Sequence, residues 1–412
     1  MISETLTRQI IELMQREVVP AVGCTEPVAV ALCVARATEL LGSCPAKLEV
    51  GLSANMLKNA MGVGIPGTGM TGLPIAIALG AVHGKSSDGL EVLANITPAD
   101  VERGKSYIDS GAINIYLCEN APSKLYIDVK AISASGETAR AVIKESHTNF
   151  VHEQKGDEVL MSHLHDDEGA CGTESADEHA DPKLNLRMVY DFAMETPLEQ
   201  IAFIARAAEL NIKGLKYFGD TPLAHMIACT SAACDARMGG CPVTVMSNSG
   251  SGNQGITCTM PVVSFARDCN ADREHTLRAL ALSNLVSIYI KQGLGRLSAL
   301  CGCVVAGTGA SSGIAYLMGA DYDRICAAIK NMVANLTGML CDGAKPSCAM
   351  KIASATSTAM MSALLAVNGQ CASASEGIVC DDVDRTIHNL TSIGKDAMRQ
   401  TDELVLKIMT TK

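Results

Sequence analysis

The sequence predicts an α+β protein: a mixed α/β N-terminal part with an antiparallel meander, then a mostly α-helical C-terminal domain with buried Gly/Ala-rich helices. Three observations carry this. Between about residues 112 and 153, short alternating runs (INIYLC, KLYIDVKAI, ARAVIKES, NFVHE) are separated by the turn residues NAPS, ASGE and HT. From Leu184 onward the apolar residues recur mostly at helical spacing. Residues 297–320 and 352–375 lack charge but are full of Gly, Ala, Ser and Thr. Membrane spans draw on Leu, Ile and Phe and carry a positive flank, so both runs read as buried central helices and no membrane contact is expected.

Element by element, residues 5–17 form an amphipathic helix with Ile10, Ile11 and Met14 on one face, Ser3 as N-cap and Pro20 as stop. Pro27 signals a second helix that ends at Gly42. Residues 47–52 alternate as a strand, and SANMLKNAMGVGIPGTGMTG reads as an irregular glycine-bearing loop. After the meander, residues 147–183 are the most polar part of the chain and read as an exposed excursion. It holds His152, His163, His165, Cys171 and His179, whose spacing matches no strong metal-ligand pattern. Helical patterns then cover 188–214 and 221–238, a Gly/Ser/Asn-rich loop covers 247–255, and helices follow at about 271–292, 299–318, 321–337, 351–366 and 382–409. Residues 1–183 and 184–412 are the expected domains.

A chain of 412 residues with 48% hydrophobic and 19% charged residues can bury a sizeable core, which excludes wholesale disorder. Aromatics are 3% and Trp is absent, so the core is aliphatic, with 20 Met as filler. A net charge of −11 argues against nucleic-acid binding, which needs a basic footprint. The N-terminus lacks an unbroken apolar stretch of the secretory type, so the 17 Cys are expected as reduced thiols in the cytoplasm.

Three segments concentrate unusual chemistry: VGCTEP around Cys24, CGC at Cys301 and Cys303, and LCDGAKPSC with Cys341 and Cys348. Thiolates bind soft or borderline metals, and iron–sulfur clusters need three or four of them together. By pattern alone the same cysteines also fit buried packing thiols. The SGSGNQG loop can present backbone N–H groups to a carboxylate or phosphate; no GK[ST] follows, so it is not a P-loop. Asn55, Lys58 and Asn59 add directional donors in the earlier glycine-rich loop. Lys345 lacks the phosphate cup of a pyridoxal-phosphate site, and neither a nucleophile elbow nor an HExxH zinc motif is present.

VGCTEPVAVAL, SNSGSGNQGI, the CGC segment and MLCDGAKPSCAMKI, in this order, resemble the L-cysteine desulfidase family, which is related to the alpha chain of iron–sulfur L-serine dehydratases. The resemblance covers residues 1–150 and 184–412; the acidic stretch between them is a departure from shorter members. It implies a lyase with a 4Fe-4S cluster held by Cys301, Cys341 and Cys348, with Cys303 as the alternative to Cys301. One iron is left open as a Lewis acid. The resemblance also implies β-elimination of L-cysteine to sulfide, pyruvate and ammonia, with Cys24 as thiolate base. A helix start is expected to lower the Cys24 pKa, and Glu26 is placed to assist the proton transfer. Ser247, Asn248, Ser249, Asn253 and Gln254 are expected to receive the substrate carboxylate, with Asn55 and Lys58 orienting the substrate. The alternatives are L-serine or another β-substituted amino acid as substrate, or a non-catalytic thiol or cluster protein. Relatives imply a homodimer.

Overall fold

The structure, a computed structural model, describes residues 3–18, 20–22, 24–164, 181–207, 220–242 and 244–411. Helix α1 (Glu4–Glu17) starts at Ser3, whose hydroxyl accepts from the Leu6 amide, and buries Ile10, Leu13 and Met14. A short strand β1 (Pro20–Val22) leads to α2 (Thr25–Leu41), which begins two residues before Pro27 with Cys24 as its N-cap. It ends at Gly42, whose φ of 82° is the left-handed cap that glycine adopts without strain. Then come β2 (Lys47–Leu52), α3 (Ala54–Ala60), α4 (Leu73–Val82), α5 (Pro98–Asp109), β3 (Ile113–Leu117), β4 (Tyr126–Ile132), β5 (Thr138–Lys144), β6 (Phe150–Lys155) and β7 (Glu158–Ser162).

Six of these strands form one sheet in the order β3-β2-β4-β5-β6-β7. From β2 through β7 every neighbouring pair is antiparallel, so the expected meander is present, but β3 lies parallel on the outer edge of β2. Three helices separate β2 from β3, and such a crossover returns the chain in the parallel sense. Two other expectations change. Residues 54–60 are helical, not irregular, because ANMLKNA holds good helix formers ahead of the glycines. Residues 158–162 of the polar excursion are a strand, while His165, Cys171 and His179 lie outside the described residues.

The second half comprises α6 (Leu186–Glu195), α7 (Leu198–Ile201), α8 (Pro222–Met238), β8 (Thr244–Met246), α9 (Gly252–Asp268), α10 (Arg273–Leu294), α11 (Gly302–Leu317), α12 (Tyr322–Leu336), α13 (Cys348–Val367), α14 (Val383–Ser392) and α15 (Arg399–Thr410). Helix α9 was not expected. Its first turn consists of Gly, Asn and Gln, which read as loop, yet Ser251 caps it by accepting from the Gln254 amide. The single helix expected over 382–409 is interrupted by a π-turn at Ile393–Ala397.

Helix α11 is the central element, surrounded by α9, α10, α12 and α13. A Cβ on Gly309 would lie 2.2 Å from the Ser283 carbonyl oxygen, so α10 and α11 meet backbone to backbone. The buried hydroxyls of Thr308 and Ser312 donate to carbonyls one turn back, at 2.8 and 3.1 Å, which satisfies them inside the core. Helix α13 differs from the expectation of full burial. It is long and apolar enough to cross a membrane by length and composition, but it packs on α8, α11 and α12 from one side and leaves Met361, Leu364 and Leu365 exposed.

One buried cluster runs from Ile10 to Leu390 and joins both halves of the chain. Strands β1 and β8 pair antiparallel across them. These ties place the start of α2 against the helical part.

Candidate active site

Four helix N-termini open on one cavity of about 100 Å³. Its wall includes Cys24 at the start of α2, Ser251 at the start of α9, Cys301 at the start of α11 and Cys348, the first residue of α13. Each terminus carries about half a positive charge, so the cavity favours anions, while the first three amides of α13 are spent on the Lys345, Pro346 and Ser347 carbonyls. Arg237, Lys291, Arg296 and Lys351 line it as well, against one carboxylate, Glu26. A chain of net charge −11 has thus gathered positive potential at one place.

Sequence-distant segments meet by strand-like pairing. Leu300 and Leu340 form an antiparallel bridge, the Cys301 amide donates to Met339 O at 3.0 Å, and the Cys341 amide donates to Ala299 O at 2.7 Å. This brings the Cys301 and Cys341 thiols close enough for each to perturb the other. Cys303 donates to Cys301 Sγ at 3.2 Å and to Met339 Sδ at 3.1 Å. Cys348 follows the Gly343 turn onto the same wall.

The thiols crowd one another. The Cys303 hydrogen bond and burial hold Cys301 up to about 12, and the Cys301 contact and burial push Cys341 well above the ordinary thiol value. A bound cation reverses that preference, since coordinated thiols lose their protons. Among the described residues no three His, Cys, Asp or Glu side chains converge to hold a single metal ion. Three thiols ranged around an anion-favouring cavity fit a multi-iron group, which takes one thiolate per iron and spreads its ligands apart.

Also lining the cavity, Cys24 donates to Glu26 Oε2 at 2.9 Å, Thr25 Oγ1 lies 3.1 Å from the same oxygen, and Asn59 Nδ2 donates to Glu26 Oε1 at 3.2 Å. The expected lowering of the Cys24 pKa is reversed. Burial, and then the Glu26 charge, raise it well above the ordinary thiol value, outweighing Arg237 and the helix start. Cys24 therefore rests as a thiol whose proton is directed at Glu26.

Of the residues expected at the site, Cys24, Glu26, Asn253, Gln254, Cys301, Cys303, Cys341 and Cys348 line this cavity. Ser247, Asn248 and Ser249 do not; they are buried behind it, with Asn248 bonded to Asn284 and Ser249 donating to Asn248 Oδ1 at 2.9 Å. Asn55 and Lys58 point away, toward Asp402 of α15: Asn55 Nδ2 donates to it at 2.6 Å, and Lys58 pairs with it. Lys345 folds onto its own loop, donating to Asp342 O at 3.0 Å.

Residues missed in the sequence include Arg237, Lys291, Arg296, Lys351 and His147. Single charges on helices and in loops give no local signal of convergence. Burial lowers Lys291 to about 8, and Arg237 Nη1 donates to Asn253 Oδ1 at 2.9 Å.

His147, in the β5–β6 turn, is 5% exposed and its Nε2 has no hydrogen-bond partner among the described residues. Burial lowers its pKa from 6.5 to about 4; Arg296 and Lys291 add to the lowering and Glu26 opposes it. The folded protein therefore keeps the ring neutral where the unfolded chain would protonate it, and stability falls as pH drops through 6.5 toward 4. Denaturant titrations at pH 7 and pH 4 are expected to show about 3 kcal/mol less acid destabilisation in His147→Gln than in wild type.

A family model described as serine dehydratase alpha chain matches residues 87–407. That span includes Cys301, Cys341 and Cys348 and begins after Cys24 and Glu26. A UPF0597 protein of Phocaeicola vulgatus is 55% identical over 436 residues, covering 100% of this chain and 99% of its own length. One from Porphyromonas gingivalis is 53% identical over 432 residues, covering 99% and 100%. One from Oleidesulfovibrio alaskensis is 44% identical over 424 residues, covering 98% and 97%.

Proposed function

The chain belongs to the serine dehydratase alpha chain family, and from that premise we propose that it is an iron–sulfur-dependent L-cysteine desulfidase. The observation that carries the proposal is one cavity lined both by the hydrogen-bonded Cys24–Glu26 pair and by Cys301, Cys341 and Cys348. Those three thiols would hold a 4Fe-4S cluster; Cys301 is preferred to Cys303 because it is the one in contact with Cys341. When bound, such a cluster supplies an open iron as a Lewis acid for the β-substituent of the substrate.

The chain's own residues bind and move the proton. Helix N-termini and Arg237 receive the substrate carboxylate. Glu26 accepts the Cys24 proton across the 2.9 Å contact, and the resulting thiolate takes the α-hydrogen. The raised thiol pKa makes that thiolate a stronger base once formed. Loss of the α-hydrogen and sulfide, followed by hydrolysis, gives pyruvate and ammonia. Burial of Cys24 keeps bulk water from reprotonating the thiolate between steps.

L-Serine is the second reading, favoured by the family description, since the same residues serve a hydroxyl leaving group. Against it stands the short LCDGAKPSC loop, a feature of the desulfidase resemblance. Sulfide and pyruvate release by anaerobically purified, iron-loaded protein tests the choice. L-Cysteine is expected to turn over at least about tenfold faster than L-serine, a difference of about 1.4 kcal/mol in barrier. Equal or faster release of pyruvate from L-serine would assign the dehydratase activity instead.

A further inference from the structure

Two residues that line the cavity carry a buried side-chain oxygen with no hydrogen-bond partner among the described residues: Asn59 Oδ1 and Gln254 Oε1. Asn59 is 8% exposed and Gln254 1%. An unmet buried acceptor costs about 1–3 kcal/mol, so two of them on residues that line one cavity point to a ligand that donates.

Their orientation follows from the bonds behind them. Asn284 Nδ2 donates to the Leu280 carbonyl at 3.0 Å, and Asn248 Nδ2 donates to the Asn284 carbonyl at 3.2 Å. Main-chain carbonyls only accept, so both amides are fixed with nitrogen toward them. Asn248 Oδ1 then faces Gln254, which must offer Nε2, at 3.0 Å. Gln254 Oε1 is left on the cavity side, where a Cβ on Gly302 would lie 3.2 Å from it, beside Cys301. Asn59 is oriented likewise: its Nδ2 donates to the Glu26 carboxylate, which turns Oδ1 away from that pair.

A ligand that satisfies both oxygens must bring N–H donors, while the helix N-termini and Arg237 call for a carboxylate. We infer that Asn59 and Gln254 read the α-ammonium of the substrate, which makes the site selective for free α-amino acids over N-acylated or deamino analogues. This rests on the amino-acid lyase reading above but not on which leaving group departs. Gln254, expected from the sequence among the carboxylate contacts, instead presents an acceptor, which a carboxylate would repel.

L-Alanine and propionate differ only by the ammonium and carry no leaving group, so calorimetric titration of the iron-loaded protein with each reads the contact without turnover. Wild type is expected to bind L-alanine at least about tenfold tighter than propionate, the scale of one charge-assisted hydrogen bond. Gln254→Met is expected to remove most of that preference while leaving propionate affinity unchanged. Should Gln254→Met melt early, Gly302→Ala, which crowds the same oxygen, serves in its place and is expected to act in the same direction. Equal affinities in wild type, or a variant that weakens both ligands alike, would overturn the inference. Retained preference in a protein that releases neither sulfide nor pyruvate would leave the inference standing and remove the lyase reading. Sulfide release without the preference would do the reverse.

Discussion

In Cys24→Ala, sulfide release from L-cysteine is expected to fall by about 10²–10⁴-fold, the range of a lost general base, while iron content stays at the wild-type level. The geometry sets these two readouts apart. Cys24 faces Glu26 across 2.9 Å and is absent from the Cys301–Cys341 thiol pair, so its removal takes away the proposed proton acceptor and leaves the proposed ligand thiols in place. The substitution also leaves Glu26 with the Asn59 Nδ2 donor, so the carboxylate is not stranded in the core. Iron per chain, visible absorbance and sulfide release on the same preparation check the result. Loss of iron in this variant would make Cys24 a ligand and move the base to another group.

Cys341→Ala and Cys348→Ala are each expected to lose iron and activity together, with turnover reduced at least about 10²-fold. A smaller side chain at either position removes a thiol whose place is fixed by the main chain: Cys341 by its amide bond to Ala299, and Cys348 by the start of α13. The polypeptide is expected to stay folded, because Cys341→Ala only relieves the interaction between thiols at Cys301 and Cys341, and Cys348→Ala loses one long thiol bond to the Gly343 carbonyl. Circular dichroism against iron content separates ligand loss from unfolding. Cys303→Ala is the control. Its thiol is directed at Met339 as well as Cys301, so this variant is expected to keep iron. Iron loss there, with retention in Cys301→Ala, would exchange the two assignments.

Much of the architecture was legible because its signals are local. Ser3 and Gly42 mark helix ends through bonds made within one turn, and alternating burial marks β4. Where local chemistry misled, competing signals were present. The first turn of α9 is built from residues that favour loops, and only the Ser251 cap and the packing of that helix on α8 and α11 make it helical. The parallel seat of β3 depends on a crossover through three helices, which alternation along the strand cannot report.

The same division holds at the site. Cysteines in glycine- and proline-bearing turns stand out in a sequence because such turns free a thiol from helix packing, and VGCTEP, CGC and LCDGAKPSC were conspicuous on that ground. The sequence by itself determined the fold class, the positions of most helices and the short set of thiols worth considering. Only the tertiary structure decided that those thiols share a cavity with Glu26, that Asn55 and Lys58 turn to Asp402 instead, and that Arg237 and His147 belong to the wall. The physical reason is range: caps and alternation act between neighbours along the chain. The cavity arises where four helix N-termini from distant segments are packed together, and the sign of the Cys24 shift depends on the burial that packing imposes.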